Sequence, residues 1–149
     1  MGKHFSPAEA VIRLRKMKTD LKRELRNAEK ENLKDGLQIA KVYSTGTYSL
    51  ETLRKKGHPY AKRHPRPPAD PGIINYQSGL FKRSWKKTLG TWSGNKLHSE
   101  IRNNAPYAGF LDKGTDLMIR RPIRDRVIKA LAPRRMIRLH KAVKKALTP

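Results

Sequence analysis

Hydrophobic residues recur at helical spacing from the start of the chain. Leu14, Met17, Leu21, Leu25 and Ala28 follow one another at intervals of three and four, and Leu37 and Ala40 resume the stripe. Ser6, Pro7 and Glu9 precede it as a capping box with proline at the first helical position. The pattern predicts one long helix from about Pro7 to Val42. Gly36 costs about 1 kcal/mol in a helix interior relative to alanine, which invites a break or kink there. So long a stripe exceeds what a small sheet can cover, so part of it is available to a neighbouring subunit, while plain core packing fits any single residue in it equally well. A shorter helix is expected over about Ser49 to Lys56, after the Ser44-Thr45-Gly46 break.

The middle of the chain changes period from 3.6 to 2. Between Leu80 and Leu89, Trp85 and Leu89 share one face while Lys82, Lys86 and Thr88 take the other. Between Lys96 and Asn103, Leu97, Ser99 and Ile101 alternate with His98, Glu100 and Arg102. The glycines and asparagine of Leu89–Asn95 suit a hairpin turn, so the two strands are expected to pair antiparallel. A short helical turn then ends at Lys113-Gly114, with Gly114 as its left-handed cap. From about Arg124 to Leu147 a second amphipathic helix is expected, interrupted by Pro133, with Val127, Ile128, Leu131, Ile137, Leu139, Val143 and Leu147 in its stripe. The fold class is thus α+β: a long N-terminal helix packed on a small antiparallel sheet, an extended proline-rich loop, and a basic C-terminal helix.

A chain of 149 residues suits one domain over 1–149, with the lean apolar share of 36% pointing to a modest core that carries solvated appendages. One appendage is the stretch 55–72, which holds five prolines and two glycines and can be neither helix interior nor central strand. This protruding loop carries Lys55, Lys56, Lys62, Arg63 and Arg66 against the single acid Asp70. Its basic and aromatic residues, His58, Tyr60, Lys62, Arg63, His64 and Arg66, are candidates for contacts with a partner. The other is the basic helical end, 132–149.

Charge sharpens the picture. The 35 Lys and Arg residues outnumber the 12 Asp and Glu residues, for a formal net charge of +23. Such an excess repels itself and calls for a polyanion or an acidic partner. Arg134, Arg135, Arg138, Lys141, Lys144 and Lys145 concentrate it on the last helix, where like charges four apart oppose the helix by a few tenths of a kcal/mol per pair. These residues are candidates for an anionic partner, nucleic acid first, with contacts to phosphate that read no sequence. No base-reading motif accompanies them.

Catalytic chemistry finds little footing. Cysteine is absent, His58 and His64 lack companion ligands for zinc, and six of the acids precede Gly36 on helix positions expected to be exposed. No phosphate-binding loop, nucleophile elbow or H-E-x-x-H pattern occurs, so no enzyme, metal site or cofactor is expected. The N-terminus has no apolar leader and no segment approaches membrane-spanning length, so no membrane partner is expected.

The segment from about Gln77 to Leu131 resembles the tail-completion and head–tail joining proteins of tailed phages. Ser78-Gly79-Leu80 leads into Ser84 and Trp85, and Asn103-Asn104-Ala105-Pro106-Tyr107-Ala108 follows the second strand. Phe110-Leu111, Gly114-Thr115 and Arg121-Pro122-Ile123 complete the series in the family's order. Lys113 stands before Gly-Thr where the family commonly has an acid, with Asp112 one place earlier. The resemblance implies that Ser78, Gly79, Leu80, Asn104, Pro106, Tyr107, Ala108, Gly114, Thr115 and Pro122 specify the fold. Tyr107 would act as a packing lid, and Pro122 would start the last helix at its first position.

It further implies a virion protein at the neck or top of the viral tail. Such subunits form homo-oligomeric rings, often hexamers, that join tail tube or tail terminator to the connector or stopper and surround the DNA channel. On that reading the 55–72 loop contacts neighbouring subunits or rings, and the cations of the last helix face DNA in the channel or an acidic neighbouring ring. The chain then assembles in the host cytoplasm and resides in the virion. Composition alone fits an alternative, a cellular sequence-neutral nucleic-acid-binding protein.

Overall fold

The computed structural model describes residues 6–46, 55, 74, 79–116 and 120–148. Its elements, in chain order, are α1 (Pro7–Val42), α2 (Leu80–Arg83), β1 (Trp85–Ser93), β2 (Lys96–Asn103), α3 (Ala108–Lys113) and α4 (Ile123–Leu147). This is the expected α+β arrangement of a long helix, an antiparallel pair of strands and a C-terminal helix. The helix expected over 49–56 and the loop 55–72 lie outside the described residues, apart from Lys55.

The capping box forms as read. The Ser6 Oγ accepts from the Glu9 backbone N–H, and the Glu9 carboxylate accepts from the Ser6 backbone N–H at 2.8 Å. At the other end, the hydroxyls of Ser44 and Thr45 donate back to the carbonyls of Ala40 and Lys41 and close the last turn. At 1.5 Å per residue, α1 is about 54 Å long and serves as a spine. It does not break at Gly36. A Cβ there would lie 2.4 Å from Ile101 Cδ1 and 3.2 Å from Leu131 Cδ2, so glycine lets β2 and α4 close on the spine together.

The hairpin lies lengthwise on α1. Trp85 Nε1 donates to Ser44 Oγ near one end, and Lys22 Nζ donates to the Gly94 carbonyl near the other. β2 alternates along its whole length as predicted, with Leu97, Ser99, Ile101 and Asn103 turned inward. The first strand departs from the sequence reading. Residues 80–83 form a helical turn rather than its start, and pairing runs from Trp85 to Ser93. Gly79, at φ 73°, reverses the chain just before that turn, and Phe81 drops into the core. The hairpin turn is the two residues Gly94-Asn95, with Gly94 at φ 59°, the positive angle that a type II′ turn requires at its first position. Gly90 sits instead at an irregularity between Leu89 and Trp92, where a Cβ would lie 2.4 Å from the His98 carbonyl oxygen.

Helix α4 runs antiparallel to α1 and continues through Pro133 without interruption. Pro133 and Lys129, whose carbonyl loses its helical donor, are both exposed, so water can satisfy that oxygen. Ala40, Ile74, Phe81, Ala105, Leu111, Ile123 and Val127 form the core where spine, hairpin and α4 converge.

Candidate functional site

The motif residues gather at the open end of the hairpin. Asn104 donates its backbone N–H to the Ser84 carbonyl, but the side chain that ties this corner belongs to Asn103. Its Nδ2 donates to the Phe81 carbonyl at 2.8 Å, and its Oδ1 accepts from the Ala105 N–H at 2.8 Å. The motif series singles out Asn104 for this corner, and the inward place of Asn103 in the strand alternation is the signal that points to Asn103 instead. Pro106 and Tyr107 then turn the chain into α3, which begins at Ala108. The Tyr107 ring stacks on Phe81 with centroids 6.1 Å apart, and Trp85 meets Phe81 edge-on at 5.7 Å. Leu80 begins α2 beside them, not a strand.

Two cap assignments change. Gly114 ends α3 with φ 80° but ψ 177°, so it has a positive φ without the left-handed helical ψ; Thr115 follows it. Pro122 precedes the first residue of α4 instead of occupying it. Its φ of −77° and ψ of 65°, with Ile123 N–H donating to the Arg121 carbonyl, form an inverse γ-turn. Together with the Arg121 N–H bond to the Leu111 carbonyl, this turn aims α4 back along the spine. Arg121 itself is 1% exposed, a buried cation inside the motif. These positions shape the fold, and a cavity of about 400 Å³ remains between hairpin, α3 and α4, walled in part by Phe81, Trp85, Ile101, Leu111, Val127 and Leu131.

The cations of the last helix have a different setting from the one expected. Arg138 donates to Asp35 at 2.7 Å and to Asn32 Oδ1 at 3.1 Å, while Arg134 approaches Asp35 at 3.8 Å. Arg135 reaches Glu29 at 3.3 Å, and Lys145 reaches Glu24 at 3.0 Å. Three of the six acids of α1, Glu24, Glu29 and Asp35, therefore form a seam with α4, while Glu9 and Glu31 are exposed as expected. Lys141 and Lys144 stay exposed outside it and form no ion pair among the described residues.

Glu29, 8% exposed, anchors the seam and also accepts from the Ser99 hydroxyl at 2.6 Å and from Asn32 Nδ2 at 3.1 Å. Burial pushes its carboxyl upward, but the bonds from Ser99, Asn32 and Arg135 together hold it below the ordinary carboxylate value. Glu24 is also lowered, chiefly by its bond from Lys145.

Two helical faces remain uncovered. The first turns of α1 extend beyond the hairpin tip at Lys22 and beyond the Lys145 end of α4, exposing Val11, Ile12 and Leu14 at 47%, 67% and 64%. The outward side of α4 exposes Met136, Ile137 and Leu147. Basic residues accompany both faces: Arg15, Lys16 and Lys18 on α1, Lys129 and Lys144 on α4.

Among the described residues no cluster of three or more His, Asp or Glu side chains could hold a metal ion, and no helix is long and apolar enough to cross a membrane. His58, Tyr60, Lys62, Arg63, His64, Arg66 and Ser78 lie outside the described residues. Comparison of the chain with family models, curated proteins and solved structures finds no match.

Proposed function

We propose that this chain is a non-enzymatic structural subunit of a tailed phage, assembling with copies of itself into a ring at the head–tail junction around the DNA channel. The observation that carries the reading is the overhang of α1. Its first turns expose Val11, Ile12 and Leu14, and among the described residues no chain lies over them, whereas α1 pairs with α4 from Glu24 onward. Exposed apolar residues in a contiguous group mark an interaction surface. An uncovered helical stripe in line with a covered one suits a neighbouring subunit, and the motif series from Ser78 to Pro122 supports a tail-completion subunit in particular. The remaining cationic surface suits a conduit for DNA.

Sedimentation of the purified protein tests the assembly. The expected result is a closed oligomer of defined mass at micromolar concentration, converted to monomer by Ile12→Asp together with Leu14→Asp while the helical circular dichroism is retained. Both side chains are more than half exposed, so the substitutions leave the core intact. A wild-type chain that sediments as a monomer at every concentration, yet binds duplex DNA tightly, would support a cellular nucleic-acid-binding protein instead.

A further inference from the structure

We infer that the outward face of the hairpin is the surface that meets the phosphate backbone of duplex DNA. The inference deepens the proposed function, on which it rests for the presence of DNA, and it moves the contact away from the last helix. There, Arg134, Arg135, Arg138 and Lys145 all face the acids of α1. Among the described residues, Lys86, Lys96 and Arg102 on the hairpin's outward face form no ion pair, although Glu100 shares that face.

Register fixes which residues share this face. Lys86 stands directly opposite Arg102, Thr88 opposite Glu100, and Ser93 opposite Lys96, with His98 between the last two pairs on β2. All seven are exposed. Alternate residues along β2 lie about 6.8 Å apart, so Lys96 to Arg102 span about 20 Å. Two like charges directly across a strand pair weaken a sheet. Lys86 and Arg102 therefore incur a repulsion that an anion between them would relieve, and Glu100 is the one acid on the face.

The chemistry of the face separates it from the helical surfaces. The exposed large hydrophobic residues lie on α1, α3, α4 and at Tyr107; neither strand contributes one. A mixed apolar and basic surface fits a protein neighbour, whereas a wholly polar, cationic ribbon fits a phosphate backbone. Two-stranded ribbons also have dimensions that the major groove admits.

The test is fluorescence anisotropy of a labelled 30-base-pair duplex of arbitrary sequence, titrated with the full chain across a salt series. Each phosphate contact contributes about 0.9 to the slope of log K against log salt. Lys86→Gln with Arg102→Gln is expected to reduce that slope by about 1.8 and to weaken binding by roughly tenfold or more at about 0.1 M salt. Lys141→Gln with Lys144→Gln, an equal loss of exposed charge on the last helix, is expected to leave the slope unchanged. The hairpin variant should melt no lower than wild type, because a like-charge pair is removed. Should it melt early, Lys96→Gln and Arg102→Gln made singly carry the test, each with an expected loss of about 0.9.

An unchanged slope in the hairpin variants, or an equal loss in the last-helix control, would overturn the inference. So would hairpin-dependent binding to phosphatidylserine vesicles with duplex binding unaltered, which would assign the face to a membrane. Ring assembly with an unchanged DNA slope would defeat this inference alone. A hairpin-dependent slope in a chain that never assembles would defeat the ring alone.

Discussion

Replacing Phe81 by alanine is expected to cost about 3–5 kcal/mol of folding stability, the range for truncating a buried aromatic side chain. Phe81 is 7% exposed and contacts both Trp85 and Tyr107 through its ring. Truncation therefore removes transfer energy, leaves a cavity and strips two aromatic partners at once. Adjacent to the existing cavity, the site has little reason to collapse and recover the loss. For a chain of this size the melting temperature should fall by roughly 10 °C or more. Phe110→Ala, at a position 60% exposed, should shift stability by no more than about 0.5 kcal/mol. Thermal melting of the two variants side by side checks both expectations, and equal shifts would contradict the placement of Phe81 in the core.

The seam between α1 and α4 has its own signature. Glu29→Ala is expected to destabilise the fold by about 1–3 kcal/mol, because Ser99 and Asn32 lose an acceptor and Arg135 loses its counter-charge. Its pH dependence follows from the direction of the shift. A carboxyl held below its unfolded value stabilises the fold above that value, and the contribution disappears as pH falls through the folded one. Glu9, Glu24, Glu29 and Glu31 are all shifted downward, so each works in the same direction. Protonating the acids also adds to a net charge already at +23, which reinforces the loss through repulsion. Stability should therefore hold near neutral pH and decline below about pH 4.5. Glu29→Gln, which keeps the side chain's shape without its titration, should show a shallower acid decline in urea melts. An acid limb as steep as that of wild type would contradict the role assigned to Glu29.

Local signals made much of the fold legible. The capping box at Ser6 and Glu9 and the regular stripe behind it place α1, and the strict alternation from Lys96 to Asn103 places β2. Tertiary packing decided the rest. Gly36 reads as a weak point in a helix until Ile101 and Leu131 are known to press on it from two sides. Gly90 reads as a turn residue because its close approach to the His98 carbonyl depends on a register that only the paired strands establish. Leu80 and Phe81 look like strand residues, yet the positive φ of Gly79 turns them into a helical corner. Pro133 lies on the solvent side of α4, and periodicity alone does not reveal whether its missing bond faces water.

The candidate surfaces were legible as composition but not as pairing. Six basic residues on the last helix announce a cationic face, whereas four of them meet Glu24, Glu29 and Asp35, which lie about a hundred residues or more earlier in the chain. Long-range electrostatics of that kind has no local signature. What the sequence did disclose is the excess itself: seven of the twelve acids are Glu9, Asp20, Glu24, Glu29, Glu31, Asp35 and Asp125, and each bonds within its own chain.

The proposed place at a phage neck is tested most directly by an electron cryo-microscopy map of such a neck. The account predicts copies of a long helix with a two-stranded hairpin along it, repeated about the tail axis, with the overhanging start of each helix seated on the next subunit. A neck built wholly from other chains, with this protein absent from the particle, would contradict it.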